Sequence, residues 1–217
     1  MSKSKTSCKD AMKQFEELLS KLRTIQTERP EISSQDIDPL TLLESNKGLS
    51  ALPEYKKVTL IGMGIEKMDN SLGQLKACEH LSLGSNSIDK IGGLTGLENL
   101  RILSLGRNKL KKLDGVDAAP DLEELWVSYN DISSLAGVEK LPNLKVLFCS
   151  NNKISSFDEL ERLAGTHVKD LNLLNNPLYG DMEEGARRVE VLKRLPNLTK
   201  LDGKPVELDE LDAARGA

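Results

Sequence analysis

Apolar residues recur along the middle of this chain in one fixed template. A full copy reads Leu97-x-x-Leu100-x-x-Leu103-x-Leu105-x-x-Asn108-x-Leu110-x-x-Leu113. The same template fits Leu122, Leu125, Val127, Asn130, Ile132 and Leu135, and then Leu144, Leu147, Cys149, Asn152, Ile154 and Phe157. Upstream it fits Cys78, Leu81, Leu83, Asn86, Ile88 and Ile91; downstream it fits Val168, Leu171, Leu173, Asn176 and Leu178. An eroded first copy is Tyr55, Val58, Leu60, Met63, Ile65 and Met68. Asn86, Asn108, Asn130 and Asn152 recur every 22 residues. A pair such as Leu103 and Leu105 alternates inward on a strand, because strand side chains have period two. One repeat cannot bury its apolar face alone, so the copies must stack.

The pattern is the leucine-rich-repeat signature. It predicts an α/β solenoid with a six-stranded parallel sheet, about 25 Å across at ordinary strand spacing. Repeats this short leave room only for brief helical or extended segments on the convex side. The repeated Asn is read as a buried hydrogen-bonded ladder at the strand exit rather than a polar site, since its amide both donates and accepts.

An open solenoid needs caps. Met12, Phe15, Leu18, Leu19, Leu22 and Ile25 recur at helical spacing over Asp10 to Gln26. Ser7 and Asp10 suggest a capping box, and Pro30 bounds the far end. This helix is expected either to cap the first repeat or to dock a partner. Asp38-Pro39 precedes a second apolar cluster, Leu40, Leu42 and Leu43, leading into the repeats near Leu49. Asp181 to Leu195 reads as a helix with Val189, Leu192 and Leu195 inward, and Glu207 onward as a loose acidic tail. The expected organisation is therefore an N-terminal helical cap over 1–48, repeats over 49–180, and a C-terminal helical cap with its tail over 181–217.

Period two also sorts the outward positions into rows on the concave face. One expected row is Ile61, Ser82, Ser104, Trp126, Phe148 and Asn172. A second is Lys57, His80, Ile102, Glu124, Val146 and Asp170. A third, at the strand exits, is Gly62, Ser85, Arg107, Tyr129, Asn151 and Asn175. Aromatics are 3% of the chain, and its single Trp neighbours a Phe where the solenoid interior needs neither. Trp126 and Phe148, with Ile102, Val146, Ile61, Tyr129, Glu124 and Asn172 around them, are thus the expected partner-binding surface. Two basic clusters, Arg107, Lys109, Lys111 and Lys112, and Arg187 and Arg188 with Lys193 and Arg194, read as solvated faces or as an edge for an acidic partner.

Net charge is −4 and the pI is about 5.4, which argues against a general nucleic-acid binder. No apolar run approaches a membrane span and no signal-peptide core opens the chain, so an intracellular protein is expected. Three cysteines make no disulfide framework. Cys78 and Cys149 fall at inward positions, and Cys8 is expected at the surface. No ligand set for a metal, phosphate loop or nucleophile–base pair is spaced along the chain, so neither a cofactor nor catalysis is expected.

The closing Leu195-Pro196-Asn197-Leu198-Thr199-Lys200-Leu201-Asp202-Gly203 resembles the 22-residue repeat subfamily that includes a protein phosphatase regulatory subunit. More narrowly, Leu122-Glu123-Glu124-Leu125-Trp126-Val127-Ser128-Tyr129-Asn130, Asn175-Asn176-Pro177-Leu178 and Met182-Glu183-Glu184-Gly185-Ala186-Arg187-Arg188 resemble the leucine-rich-repeat light chains of axonemal outer-arm dynein. The match covers nearly the whole chain. It implies a non-catalytic subunit, monomeric when free, bound to a dynein heavy chain at the stalk's microtubule-binding region in cilia or flagella. Microtubules are an implied second contact, and Met182 joins Arg187 and Arg188 on the charged edge. A phosphatase regulatory subunit remains an alternative, although more repeats would be expected of it. An RNA-associated scaffold is the other; neither pI nor aromatic placement favours it.

Overall fold

The computed structural model describes residues 6–14 and 55–216. Six three-residue strands follow the template: β1 Lys57–Thr59, β2 His80–Ser82, β3 Ile102–Ser104, β4 Glu124–Trp126, β5 Val146–Phe148 and β6 Asp170–Asn172. Two shorter strands, β7 Lys200–Leu201 and β8 Lys204–Pro205, extend the sheet to eight among the described residues. Neighbours in sequence are neighbours in space, parallel from β1 to β7, and β8 turns back antiparallel on β7. The six-strand expectation thus covers the repeats; the closing Leu198–Leu201 partial repeat adds β7, and the turn after it brings in β8.

The core is the stacked template. Leu81, Leu103, Leu125, Leu147 and Leu171 occupy one register line, and all are fully buried. Cys78 and Cys149 are buried in the same column system, and burial holds both thiol pKa values above their ordinary range. The Asn ladder is explicit. Asn130 Nδ2 donates to the Leu105 and Val127 carbonyls at 3.0 and 2.9 Å, and its Oδ1 accepts from Leu110 N at 3.0 Å. Asn86, Asn108, Asn152 and Asn176 repeat this pattern between successive coils. At the last step Asp202 replaces the amide, accepting from Leu173 N and from the Tyr179 hydroxyl, both at 2.7 Å. Each ladder residue from Asn86 to Asn176 follows a residue with positive φ: Ser85, Arg107, Tyr129, Asn151 and Asn175, at +54° to +60°. Such left-handed turns are strained for side-chain-bearing residues, and the ladder holds them in place. Short 3-10 segments, such as Val116–Ala118, Val138–Lys140 and Phe157–Leu163, form the opposite wall.

Residues 8–14 form helix α1. Ser7 Oγ accepts from Asp10 N, and Asp10 Oδ2 accepts from Ser7 N, so the capping box is real. The helix therefore begins at Cys8, not Asp10, and Cys8 is buried rather than exposed, beside Ala11 and Met12. A bridge between Ser7 and Lys67 ties this end to the first repeat. The expected continuation through Phe15, Leu18, Leu19, Leu22 and Ile25, together with Pro30, Asp38-Pro39, Leu40, Leu42, Leu43 and Leu49, lies outside the described residues.

Helix α2 spans Glu184–Arg194 and helix α3 spans Leu208–Gly216. Val191, Leu192 and Leu195 are the buried apolar residues here; Val189 is only half-buried. The expected loose tail is instead helical, with Val206, Leu211 and Ala214 packed against the core.

Candidate partner-binding surface

Period-two alternation turns the outer residues of each three-residue strand to the concave side. Register then makes rows of them. His80, Ile102, Glu124, Val146 and Asp170 are paired strand to strand, and Lys57 precedes them, as expected. The other row is Thr59, Ser82, Ser104, Trp126, Phe148 and Asn172. Thr59, not Ile61, begins it. Val58 and Leu60 are the inward pair of the first repeat, so the residue between them takes the place of Ser82. Ile61 lies two residues further on, opposite Gly84, and is 53% exposed at the sheet's first edge. It does not join the central cluster.

Trp126 and Phe148 stack with centroids 6.0 Å apart and planes 26° apart. His80 meets Trp126 edge-on at 5.8 Å. All three are half-buried. The indole N–H donates to Glu124 Oε2 at 3.1 Å, which fixes the ring's tilt. Ile102 and Val146, also half-buried, flank Glu124 on either side. The result is an apolar, aromatic centre on a rigid sheet, with Asn172 in register at its C-terminal side. At the strand exits Arg107 lies over the exposed Tyr129 ring, 4.3 Å from its centroid.

His80 also lies 3.3 Å from Ser82 Oγ. Two residues apart on one strand, both point to the same face. Burial, and then the charge of Lys57, lower the imidazole pKa, so its neutral form is favoured.

The two basic clusters separate sharply. Arg107, Lys109, Lys111 and Lys112 are exposed and make no ion pair among the described residues. Lys111 and Lys112 border a cleft of about 580 Å³ with Asp89, Lys90, Ile91 and Asp114. The C-terminal cluster is not an edge of that kind. Arg188 is 4% exposed and pairs with Glu210. Lys193 and Arg194 both engage Glu190. Arg187 is half-buried, its guanidinium 5.0 Å from the Tyr179 ring centroid. Met182 is half-buried as well. Of these side chains only Arg188 is turned fully inward.

Two copies of a leucine-rich-repeat family model match residues 76–118 and 120–162. Dynein axonemal light chain 1 of Chlamydomonas reinhardtii is 53% identical over 188 residues, 83% of this chain and 94% of that protein. The chain belongs to the dynein axonemal light chain 1 family. The human member is 63% identical over a shorter stretch of 38 residues, 18% of this chain and 20% of its own. A crystal structure of the Drosophila melanogaster SNF/U2A′ complex superposes with a TM-score of 0.52 at 24% identity, covering 74% of this chain and 79% of that one. At that identity the likeness is one of solenoid fold alone. Among the described residues no helix is long and apolar enough to cross a membrane, and no cluster of His, Cys, Asp and Glu could hold a metal ion.

Proposed function

We propose that this protein is a non-catalytic binding subunit of axonemal outer-arm dynein, acting in the cilium or flagellum. Its concave face takes the heavy-chain motor at the stalk's microtubule-binding region. The Trp126–Phe148 stack, in a member of the dynein axonemal light chain 1 family, carries this reading. Two large rings on the central strands are left half-open where a solenoid needs no side chain, and such aromatic clusters anchor interfaces. The sheet beneath them is pinned by the Asn ladder, so little ordering entropy opposes docking. The exposed Arg107–Lys112 edge lies beyond the strand exits, free for acidic tubulin once the concave face is occupied. On this reading the subunit, monomeric when free, modulates the motor's hold on microtubules by contact and charge.

The test is capture from axonemal extract with the tagged chain, followed by titration with a recombinant heavy-chain stalk fragment. Heavy chain should be retained, and the Trp126→Ala variant should release it. Retention of a phosphatase catalytic subunit or of spliceosomal proteins in its place would overturn the assignment.

A further inference from the structure

The centre of the concave face carries an unbalanced negative charge. Several carboxylates on the solenoid pair with a cation of a neighbouring coil: Glu79 with Lys56 at 2.8 Å, Glu123 with Lys145 at 2.6 Å, and Asp117 with Lys140 at 2.8 Å. Asp170, in the same row as Glu124, is balanced by Lys200 at 3.1 Å. Glu124 has no cation among the described residues. Among the described residues its side chain accepts one hydrogen bond, from the Trp126 indole through Oε2, which leaves Oε1 free. The nearest cations in its row are Lys57 and the Asp170-paired Lys200, each three strands away, or about 14 Å at ordinary strand spacing. That is beyond the screening length of about 8 Å at physiological salt.

From this arrangement we infer that Glu124, with Trp126 and Phe148, forms a receptor for one arginine side chain of the partner. A guanidinium suits both halves of the site. Its plane lies on aromatic rings, and its N–H fork meets a carboxylate. The rings remove water from around the pair, which strengthens it relative to a rim contact. Ile102 and Val146 on either side of Glu124 would cover the arginine's methylene stem. The half-buried His80, its neutral form favoured, adds little opposing charge. This inference rests on the concave docking reading and names what that surface selects: an apolar segment bearing an arginine, rather than an acidic or wholly apolar one.

Glu124→Gln is the decisive variant. It keeps an acceptor for the indole N–H and so keeps Trp126 in place, while removing the charge. Near-ultraviolet circular dichroism of the chain's single Trp verifies that placement. Calorimetry with the heavy-chain stalk fragment, using the full chain at several salt concentrations, should show at least tenfold weaker binding for E124Q and a flatter salt dependence. E124Q binding like wild type, while Trp126→Ala loses binding, would overturn the arginine receptor and leave the concave site standing. Wild-type affinity in both variants would instead overturn the docking reading itself.

Discussion

Arg188 on α2 holds Glu210 on α3 through both sides of its guanidinium fork. Its Nε donates to Oε1, and Nη2 donates to Oε2 at 2.9 Å. Nη1 and Nη2 also donate to the Leu201 and Pro205 carbonyls, each at 2.8 Å. One buried charge thus ties two helices to the end of the sheet. Removing Arg188 leaves the Leu201 and Pro205 carbonyls without their donor, while the half-buried Glu210 can rehydrate, so the cost is about 1–3 kcal/mol. Arg188→Ala should cost that much in urea unfolding and expose the 208–216 segment to protease. A double change to Arg188→Met and Glu210→Leu should recover most of the loss, because an apolar pair needs no counterion. If Arg188→Ala unfolds at the wild-type urea midpoint, the pair does not hold the cap.

The same pair sets a pH dependence. The bond from Arg188 lowers the Glu210 carboxyl below its ordinary value. A carboxylate whose folded pKa is depressed stabilises the fold above its unfolded pKa, and that contribution fades as pH falls through the folded value. The attachment of α3 should therefore be constant from neutral pH down to about the ordinary Glu value near 4.3, and weaken below it. Hydrogen exchange of α3 amides as a function of pH reads this directly. In Glu210→Gln the acid-dependent component should vanish.

The ladder gives the second stability prediction. Asn130→Ala removes the acceptor for Leu110 N and the donor to two carbonyls. Leaving buried backbone groups unpaired costs about 1–3 kcal/mol. Leu125→Ala and Leu147→Ala, both at fully buried positions, should cost about 2–5 kcal/mol each. Denaturant midpoints test all three. Changes below about half a kcal/mol throughout would be incompatible with these packing and ladder roles.

These positions were legible in the sequence because the repeat sets both register and facing. Trp126 and Phe148 emerged the same way, as outward residues of neighbouring copies. Ile61 falls out of the row even though Val58 and Leu60 are recognisable as the inward pair: the residue between them, Thr59, pairs with Ser82, and Ile61 lies two residues past it. Arg188 was misread as an exposed cation because charge is a poor guide when the counterion, Glu210, lies beyond the last repeat. A signal was present: Arg188, Val191, Leu192 and Leu195 fall on one helical stripe. Cys8 was likewise readable from Ala11 and Met12, three and four residues on, once Ser7 is taken as the cap. The acidic composition after Glu207 hid an i,i+3 pair, Leu211 and Ala214, that packs on the core.

The aromatic stack should separate binding from stability. Trp126→Ala and Phe148→Ala should each weaken heavy-chain binding by at least about 2 kcal/mol, the scale of interface hot spots. Both side chains are half-buried on the concave face, outside the solenoid core, so melting temperatures should move little. Intact binding together with a lowered melting temperature would make the pair a packing element and remove the concave site.

The basic edge gives the last prediction, and the structure narrows it to one cluster. Arg188 is buried, and Lys193 and Arg194 are engaged by Glu190. Reversing those charges would report on the fold, not on a track contact. Lys109, Lys111 and Lys112 are exposed and unpaired among the described residues, so Lys111→Glu with Lys112→Glu should leave the melting temperature and heavy-chain affinity nearly unchanged. Exposed charges act only within about 8–10 Å at physiological salt. The reversal can therefore matter only where this edge closely approaches acidic tubulin. Co-sedimentation of the stalk fragment with microtubules, carrying the wild-type or the reversed protein, should show curves whose separation widens as salt is lowered. Superimposable curves at every ionic strength would make the edge an ordinary solvated face, and the proposed modulation of the motor would then rest on the concave contact alone.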